Sequence, residues 1–394
     1  MLTGAVGIDI AQGYAVGLRV DYTAANYAKY KDLRHKNKLM DLSAAASVYA
    51  PLTQWLSLGA AYQYHRRTES VAFSTYGKND KVYKSLIDYG AFFGRVEQFA
   101  SSGYTDRSRE MPLFEDAHGL SLQGSVAPCR QLTALASFSL SEGDGYYGRK
   151  SPYTITFTRH ERSRRQTALS LCYMPDDGRD RLRLDMACGL EKLANMAETY
   201  REVTNTSGAN SYDYYDPAET GDKRWDDVSA LLTADLGIAE MLPAWTVSLG
   251  YSWHRRRQTA FLFPYYRRQI VRYGQLTAHA TKNQPCLGGM LSVSLLASFS
   301  KGSGNPADDG TFVTPSDTQE PVATMEAFLM REYRLLTAPQ YSVEAAAQYA
   351  FVMPGTALRT YLRLGVGHRK ANATNEYCTG SDRLHLSLTA GCDF

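Results

Sequence analysis

From Leu384 to Phe394 the chain reads LHLSLTAGCDF, with Leu384, Leu386, Leu388, Ala390 and Cys392 alternating with His385, Ser387, Thr389, Gly391 and Asp393. A period of two places successive side chains on opposite faces of a β-strand, one apolar and one polar or small. The same alternation recurs along the whole chain, in pairs. MDLSAAASVYA (40–50) and WLSLGAAYQYH (55–65) flank the turn PLTQ, and LSLQGSVA (120–127) and QLTALASFSLS (131–141) flank PCR. QTALSLCYM and RLRLDMACGLE flank PDDGRD, and YSVEAAAQYAFV and ALRTYLRLGVGH flank MPGT. Short links rich in Pro, Asn, Asp and Gly are hairpin punctuation.

Much longer connections separate the hairpins, at about 27–38, 66–118, 142–165, 191–225, 254–271, 300–339 and 369–382. Short and long links therefore alternate. Loops beyond about 15 residues are uncommon in compact domains, whereas outer-membrane barrels have short turns at one end and long loops at the other. The expected fold is all-β: one transmembrane antiparallel outer-membrane β-barrel over residues 1–394, of about 14–16 strands with extracellular long loops. Such barrels generally have an even strand number, and about fifteen strands are countable here, so an N-terminal strand is expected to be missing from this sequence. VATMEAFLMREYRLL would break the parity as a strand; with Met325, Phe328 or Leu329, and Leu336 along one side it reads as a short loop helix.

Composition narrows the picture. The 394 residues include 31 Gly, 28 Tyr and 14 Pro, and the mean hydropathy is −0.36. No apolar run is long enough for a transmembrane helix, which leaves transmembrane strands open. MLTGAVGIDIAQGYAVGL has neither the basic nor the continuous apolar region of a signal peptide. A net charge of +3 says little about partners; no nucleic acid is expected, because in the expected topology the basic clusters form a ring rather than a face. The six cysteines show no metal-ligand spacing, and Cys172, Cys188 and Cys392 read as small apolar strand residues. No GxSxG, HExxH, Walker A or dinucleotide motif is present, and PDDGRDR lacks the ligand spacing of an EF-hand. No catalytic residue, metal or cofactor is therefore expected.

Two constellations stand out. Basic clusters at 65–67, 159–165, 254–257, 265–272 and 368–370 all fall on the long-connection side. Arg66, Arg67, Arg255, Arg256, Arg267 and Arg369 are expected near outer-leaflet headgroups, where guanidinium forks suit lipopolysaccharide phosphates. Solvated loop bases, or anion contacts inside a pore, are the alternatives. Aromatics beside polar groups in GDGYYGRKSPY, NSYDYYDP and FLFPYY nominate Tyr146, Tyr147, Tyr212, Tyr214, Tyr215, Phe263, Tyr265 and Tyr266 for glycan or partner contact, against packing of the loops on one another. Ser43, Ser47, Ser57, Gly59, Gln63, Ser137, Ser139, Asp185, Ser248, Ser292, Ser294, Glu344 and Gln348 face inward if their larger apolar neighbours face lipid.

The aromatic terminus Phe394 after LHLSLTAGCDF resembles the C-terminal assembly signal of outer-membrane barrels, and SLIDYGAFFG, MREYRLLTAPQYSVEAAAQY and GLSLQGSVAP look like a family of uncharacterised outer-membrane proteins of gut Bacteroidota. The resemblance covers the whole chain. It implies integral residence in the outer membrane of a Gram-negative bacterium, with outer-membrane lipids, the barrel assembly machinery and a larger transporter or secretion complex as partners. It brings no activity. The expected function is a non-enzymatic accessory or recognition component of nutrient uptake or of a surface complex. A passive porin and, more remotely, a barrel-embedded enzyme are the alternatives.

Overall fold

The computed structural model describes the chain except residues 12, 31–33, 75–82, 88–94, 100–110, 152–153, 205, 207, 209, 240–241, 321–325, 354, 356–357, 374–379 and 394. The strands are β1 (Leu2–Ala11), β2 (Tyr14–Ala28), β3 (Arg34–Pro51), β4 (Leu56–Ser74), β5 (Tyr83–Ile87), β6 (Arg95–Phe99), β7 (Met111–Cys129), β8 (Leu132–Ser151) and β9 (Thr154–Tyr173). They continue as β10 (Arg181–Thr204), β11 (Asn210–Ala239), β12 (Leu242–Leu262), β13 (Tyr265–Cys286), β14 (Gly289–Thr311), β15 (Gln340–Val352), β16 (Arg359–Ala371) and β17 (Asp382–Asp393). One helix, α1 (Glu326–Thr337), lies between β14 and β15, where the parity of the connections requires a non-strand element.

Among the described residues, fifteen strands form one antiparallel sheet in chain order, and β5 and β6 pair with each other in a separate two-stranded sheet. Each neighbour pair in the large sheet is adjacent in sequence apart from β4–β7, which brackets that hairpin. Among the described residues β1 pairs only with β2, and β17 only with β16. Both edge strands run from the long-connection end to the short-turn end.

Register separates two faces. One continuous row of cross-strand partners reads Ile8, Val16, Val48, Ala60, Leu122, Phe138, Thr167, Cys188, Val228, Trp253 and Gly274. The row one residue away reads Gly7, Gly17, Ser47, Ala61, Ser121, Ser139, Gln166, Gly189, Asp227, His254 and Tyr273. The first face is apolar yet exposed: Leu122 is 61% and Leu386 72% accessible. The second carries the buried groups Ser121, Glu115, His160, Gln269 and Val271. An apolar exterior around a polar interior is the inside-out pattern of a membrane barrel. The residues expected to line the interior, among them Ser47, Ser137, Ser139 and Asp185, fall on the inner face.

The stretches expected to be long loops are mostly strand. Residues 142–165 are the upper halves of β8 and β9 around a short link, 191–225 those of β10 and β11, and 254–271 those of β12 and β13, joined at Phe263–Pro264. β11 has 30 residues, about three times what crosses a bilayer. The sheet pairs far above its apolar band because Thr, Tyr, Arg and Asp alternate there too, and polar cross-strand pairs hold a ladder as well as apolar ones do. The result is a tall polar wall on the long-connection side. Among the described residues, Cys129, Cys172, Cys188, Cys286 and Cys392 are free.

Candidate functional site

Strands β7–β12 set polar side chains at adjacent inner-face positions. A recess of about 320 Å³ is lined by Ser137, Ser139, Arg164, Gln166, Glu191, Asp227, Ser229 and His254, over a floor of Ala168, Ala187 and Gly189. It shares Ser137, Ala168, Ala187 and Ser229 with a second, of about 610 Å³, that reaches Ser57, Gly59, Gln123 and Asp185. Together they form one track down the inner wall. Its floor exists because small residues on neighbouring strands coincide in register, as Ala168, Ala187 and Ser229 do.

Charges interlock at the head of the track. Arg162 donates to Glu115 at 2.8 Å and to Glu191 at 2.9 Å, and Arg164 lies 3.7 Å from Glu191. His160, 3% exposed, has Nε2 3.5 Å from Glu115. This cluster stands above the apolar band, which ends on β7 at Leu120. Hydrogen bonding from His160, followed by that from Arg162, outweighs burial and holds the Glu115 carboxyl down at about 2. His254 hydrogen-bonds Asp227 through Nδ1, and its ring lies 4.9 Å from that of Tyr273. Among the described residues no hydroxyl completes this pair into a nucleophilic triad, and no group of His, Cys, Asp and Glu forms a metal site.

Helix α1 lies against the inner face of β13 and β14. Arg256 donates twice to Glu332, at 2.8 Å each, and at 3.0 Å to Gln269. Gln269 is fully buried and also accepts from Gln258 at 3.1 Å. Tyr333 donates to the Gly304 carbonyl at 2.9 Å. The helix approaches this closely because Gly302 has no side chain: a Cβ there would lie 2.8 Å from Cα of Thr337.

All six nominated arginines lie toward the long-connection end, but they do not share a face. Strand alternation makes Arg66 and Arg255 outer-face residues and turns Arg67, Arg256, Arg267 and Arg369 inward. The inner four are therefore removed from the expected headgroup contact: Arg67 pairs with Glu69, Arg256 with Glu332 and Arg267 with Asp309, and Arg369 stands opposite Arg383. Arg66 lies 3.8 Å from Asp116 and Arg255 3.5 Å from Asp226. Most nominated aromatics hold the tall hairpins together. Tyr146 stacks on Phe114, Tyr147 faces His160, Tyr212 and Tyr214 pack on Tyr200, and Tyr266 packs on Phe312. Tyr265 donates to the Gln319 carbonyl. Tyr215 and Phe263 stay 54% and 69% exposed. Phe394, nominated as the assembly signal, lies outside the described residues.

The model of one protein family matches residues 2–394. The chain belongs to DUF6850, a family of unknown function. No curated protein matches it in sequence. Among solved structures, the siderophore receptor PiuA from Acinetobacter baumannii is similar at a TM-score of 0.51 and 12% identity, over 98% of this chain and 61% of that one. The ferric yersiniabactin uptake receptor FyuA from Yersinia pestis gives 0.47 and 9%, over 95% and 59%. A loop-deletion form of OmpT, an outer membrane protein of Vibrio cholerae, gives 0.27 and 11%, over 95% and 98%. The chain thus spans about three-fifths of the length of the two receptors. The likeness to PiuA shows the fold, that of an outer-membrane β-barrel.

Glu115, Glu191, Asp227 and Glu332 were not singled out from the sequence, and His160 entered only as part of the basic cluster 159–165. Alternation within 113–119 and 158–164 signals the facing of Glu115 and His160, but their partners depend on cross-strand register.

Proposed function

We propose that this chain is an integral outer-membrane barrel of a Gram-negative bacterium that recognises small polar solutes at its tall extracellular wall and admits them along the inner track, as the recognition component of nutrient uptake. The observation that carries this reading is the inner wall itself. Ser, Gly, Gln, Asp and His line a continuous track, and its head presents fixed charges of both signs. Such a surface exchanges hydrogen bonds with a hydrated solute at little net cost. The height of the wall favours recognition over simple passage, because ordering long polar hairpins carries a large entropy cost. The uptake receptors among the structural neighbours are compatible with this role. The exposed Tyr215 and Phe263 are the remaining sites for a glycan or for a larger transport complex, and barrel assembly is the expected route of insertion.

The full chain in planar bilayers and in proteoliposomes tests the reading. Solute-dependent conductance with saturable uptake is expected, and Asp227→Lys and Arg164→Glu are expected to change ion selectivity in opposite directions. Linear, unselective flux would favour the passive porin. Neither conductance nor solute binding would refute both roles.

A further inference from the structure

Beyond the lumen, the outer face of β9–β14 carries a run of cations. The apolar outer residues of β9–β14 end near Leu169, Leu190, Val228, Trp253, Leu276 and Phe299. The first charged outer residue above them is Arg165 on β9, Lys192 on β10, Arg255 on β12, Arg272 on β13 and Lys301 on β14. β11 places Asp226 there, then Arg224, and Arg257 stands beside Arg224 on β12. On β7 and β8 the corresponding residues are Asp116 and Glu142, which separate this stretch from the outer-face cation Arg66 on β4.

Its internal compensation is incomplete. Asp226 serves both Arg224 at 2.8 Å and Arg255 at 3.5 Å, and Asp222, one row higher, takes Arg257 at 2.7 Å. Among the described residues, Arg165, Lys192, Arg272 and Lys301 have no acidic partner. Cations stand directly opposite one another across strands: Lys192 against Arg224, Arg224 against Arg257, and Arg255 against Arg272. Like charges at such positions repel and destabilise the sheet. The Nε atoms of Arg255 and Arg257 are buried without a hydrogen-bond partner. A surface built this way calls for an external anion. Directly below it, Val228, Trp253, Leu249 and Leu276 expose an apolar face on which acyl chains pack.

We propose that the outer face of β9–β14 binds a phosphate-bearing glycolipid of the outer leaflet, lipopolysaccharide in chemistry, with its phosphates among Arg165, Arg255, Arg272 and Lys301 and its acyl chains on the apolar face beneath. This rests on the reading that the chain spans the outer membrane. Guanidinium forks take phosphate oxygens in bidentate geometry, and the run of cations crosses five strand spacings, roughly 24 Å, so more than one phosphate is held along it.

The full chain is reconstituted in zwitterionic nanodiscs and titrated with lipopolysaccharide and with the same material after dephosphorylation, with retained lipid counted by native mass spectrometry. Tighter retention of the phosphorylated form, by about tenfold or more and weakened by salt, is expected. The triple variant Arg165→Gln, Arg272→Gln, Lys301→Gln should lose that preference, whereas Arg67→Gln with Arg369→Gln on the inner face should keep it. Equal retention of both forms, equal competition by phosphatidylglycerol, or a triple variant that binds like the parent would overturn the assignment. If the triple variant does not fold, the two lipid forms on the unaltered chain decide. A chain that fails to insert, with no heat-modifiable migration, refutes membrane residence itself; insertion without phosphate preference refutes the lipid site alone.

Discussion

Replacing Glu115 with glutamine is expected to lower the stability of the folded barrel by about 3 kcal/mol at neutral pH and to flatten its response to acid. Glu115 is 6% exposed and serves both His160 and Arg162. Its carboxyl titrates at about 2 in the fold, against 4.5 for the unperturbed group. Because the folded value is depressed, the stabilisation is fully present above about 4.5. It is lost as pH falls from there toward about 2, where the folded carboxyl also takes up its proton. Thermal unfolding of the detergent-solubilised parent, followed from pH 6 to pH 3, should therefore show a falling midpoint across the lower part of that range. The glutamine variant should start lower and lose less on acidification. An acid response identical in both would show that Glu115 is not the group responsible. The same substitution releases Arg162 to lean on Glu191 alone, so the head of the solute track should change its charge selectivity as well.

Gly304→Ala is expected to detach helix α1 from the inner wall. Gly304 has φ +151°, a conformation that L side chains rarely adopt, and an added Cβ would lie 1.9 Å from the Ile270 carbonyl oxygen. The β13–β14 register already shifts here, between Arg268 and Ile270, so the strand has little room to yield. The cost expected is above about 1 kcal/mol, enough to shift a docking to which the Arg256–Glu332 ion pair and the Tyr333 hydrogen bond contribute. Arg256→Gln tests the same contact without backbone strain, since it removes both bonds to Glu332. Both variants should raise protease access to residues 326–337 and increase single-channel conductance, with Gly304→Ala the larger effect. Conductance unchanged in both, with the helix still protected, would mean that α1 is held by other contacts and does not restrict passage.

The two variants separate wall integrity from helix position. Glu115 lies at the β7–β9 side of the wall and Gly304 on β14, with no shared partners, so their effects should add. Loss of solute selectivity with the helix in place would point to the interlocked charges, whereas a gain in conductance with selectivity retained would point to α1.

Much of the architecture was legible in the sequence. Alternation named the strands, because a half-buried strand has period two whatever surrounds it, and the alternation of link lengths set their directions. The helix at 326–337 followed from parity, since a strand there would have left β15 running the wrong way. Connection lengths were less legible. Polar alternating stretches such as 191–204 carry no apolar face, and only pairing with a neighbour makes them strand rather than loop. The basic clusters show the same division at the level of single residues. Arg255 and Arg256 are adjacent in sequence, yet one meets the outer surface and the other a helix 76 residues away. The sequence by itself determined that each strand has an apolar and a polar face, because side-chain direction is a local property of extended backbone. Only the tertiary structure decided which charges meet, as Arg162 meets Glu115 and Glu191, and which stay uncompensated, as Arg272 does beside Arg255, because cross-strand register is a non-local choice made jointly by neighbouring strands.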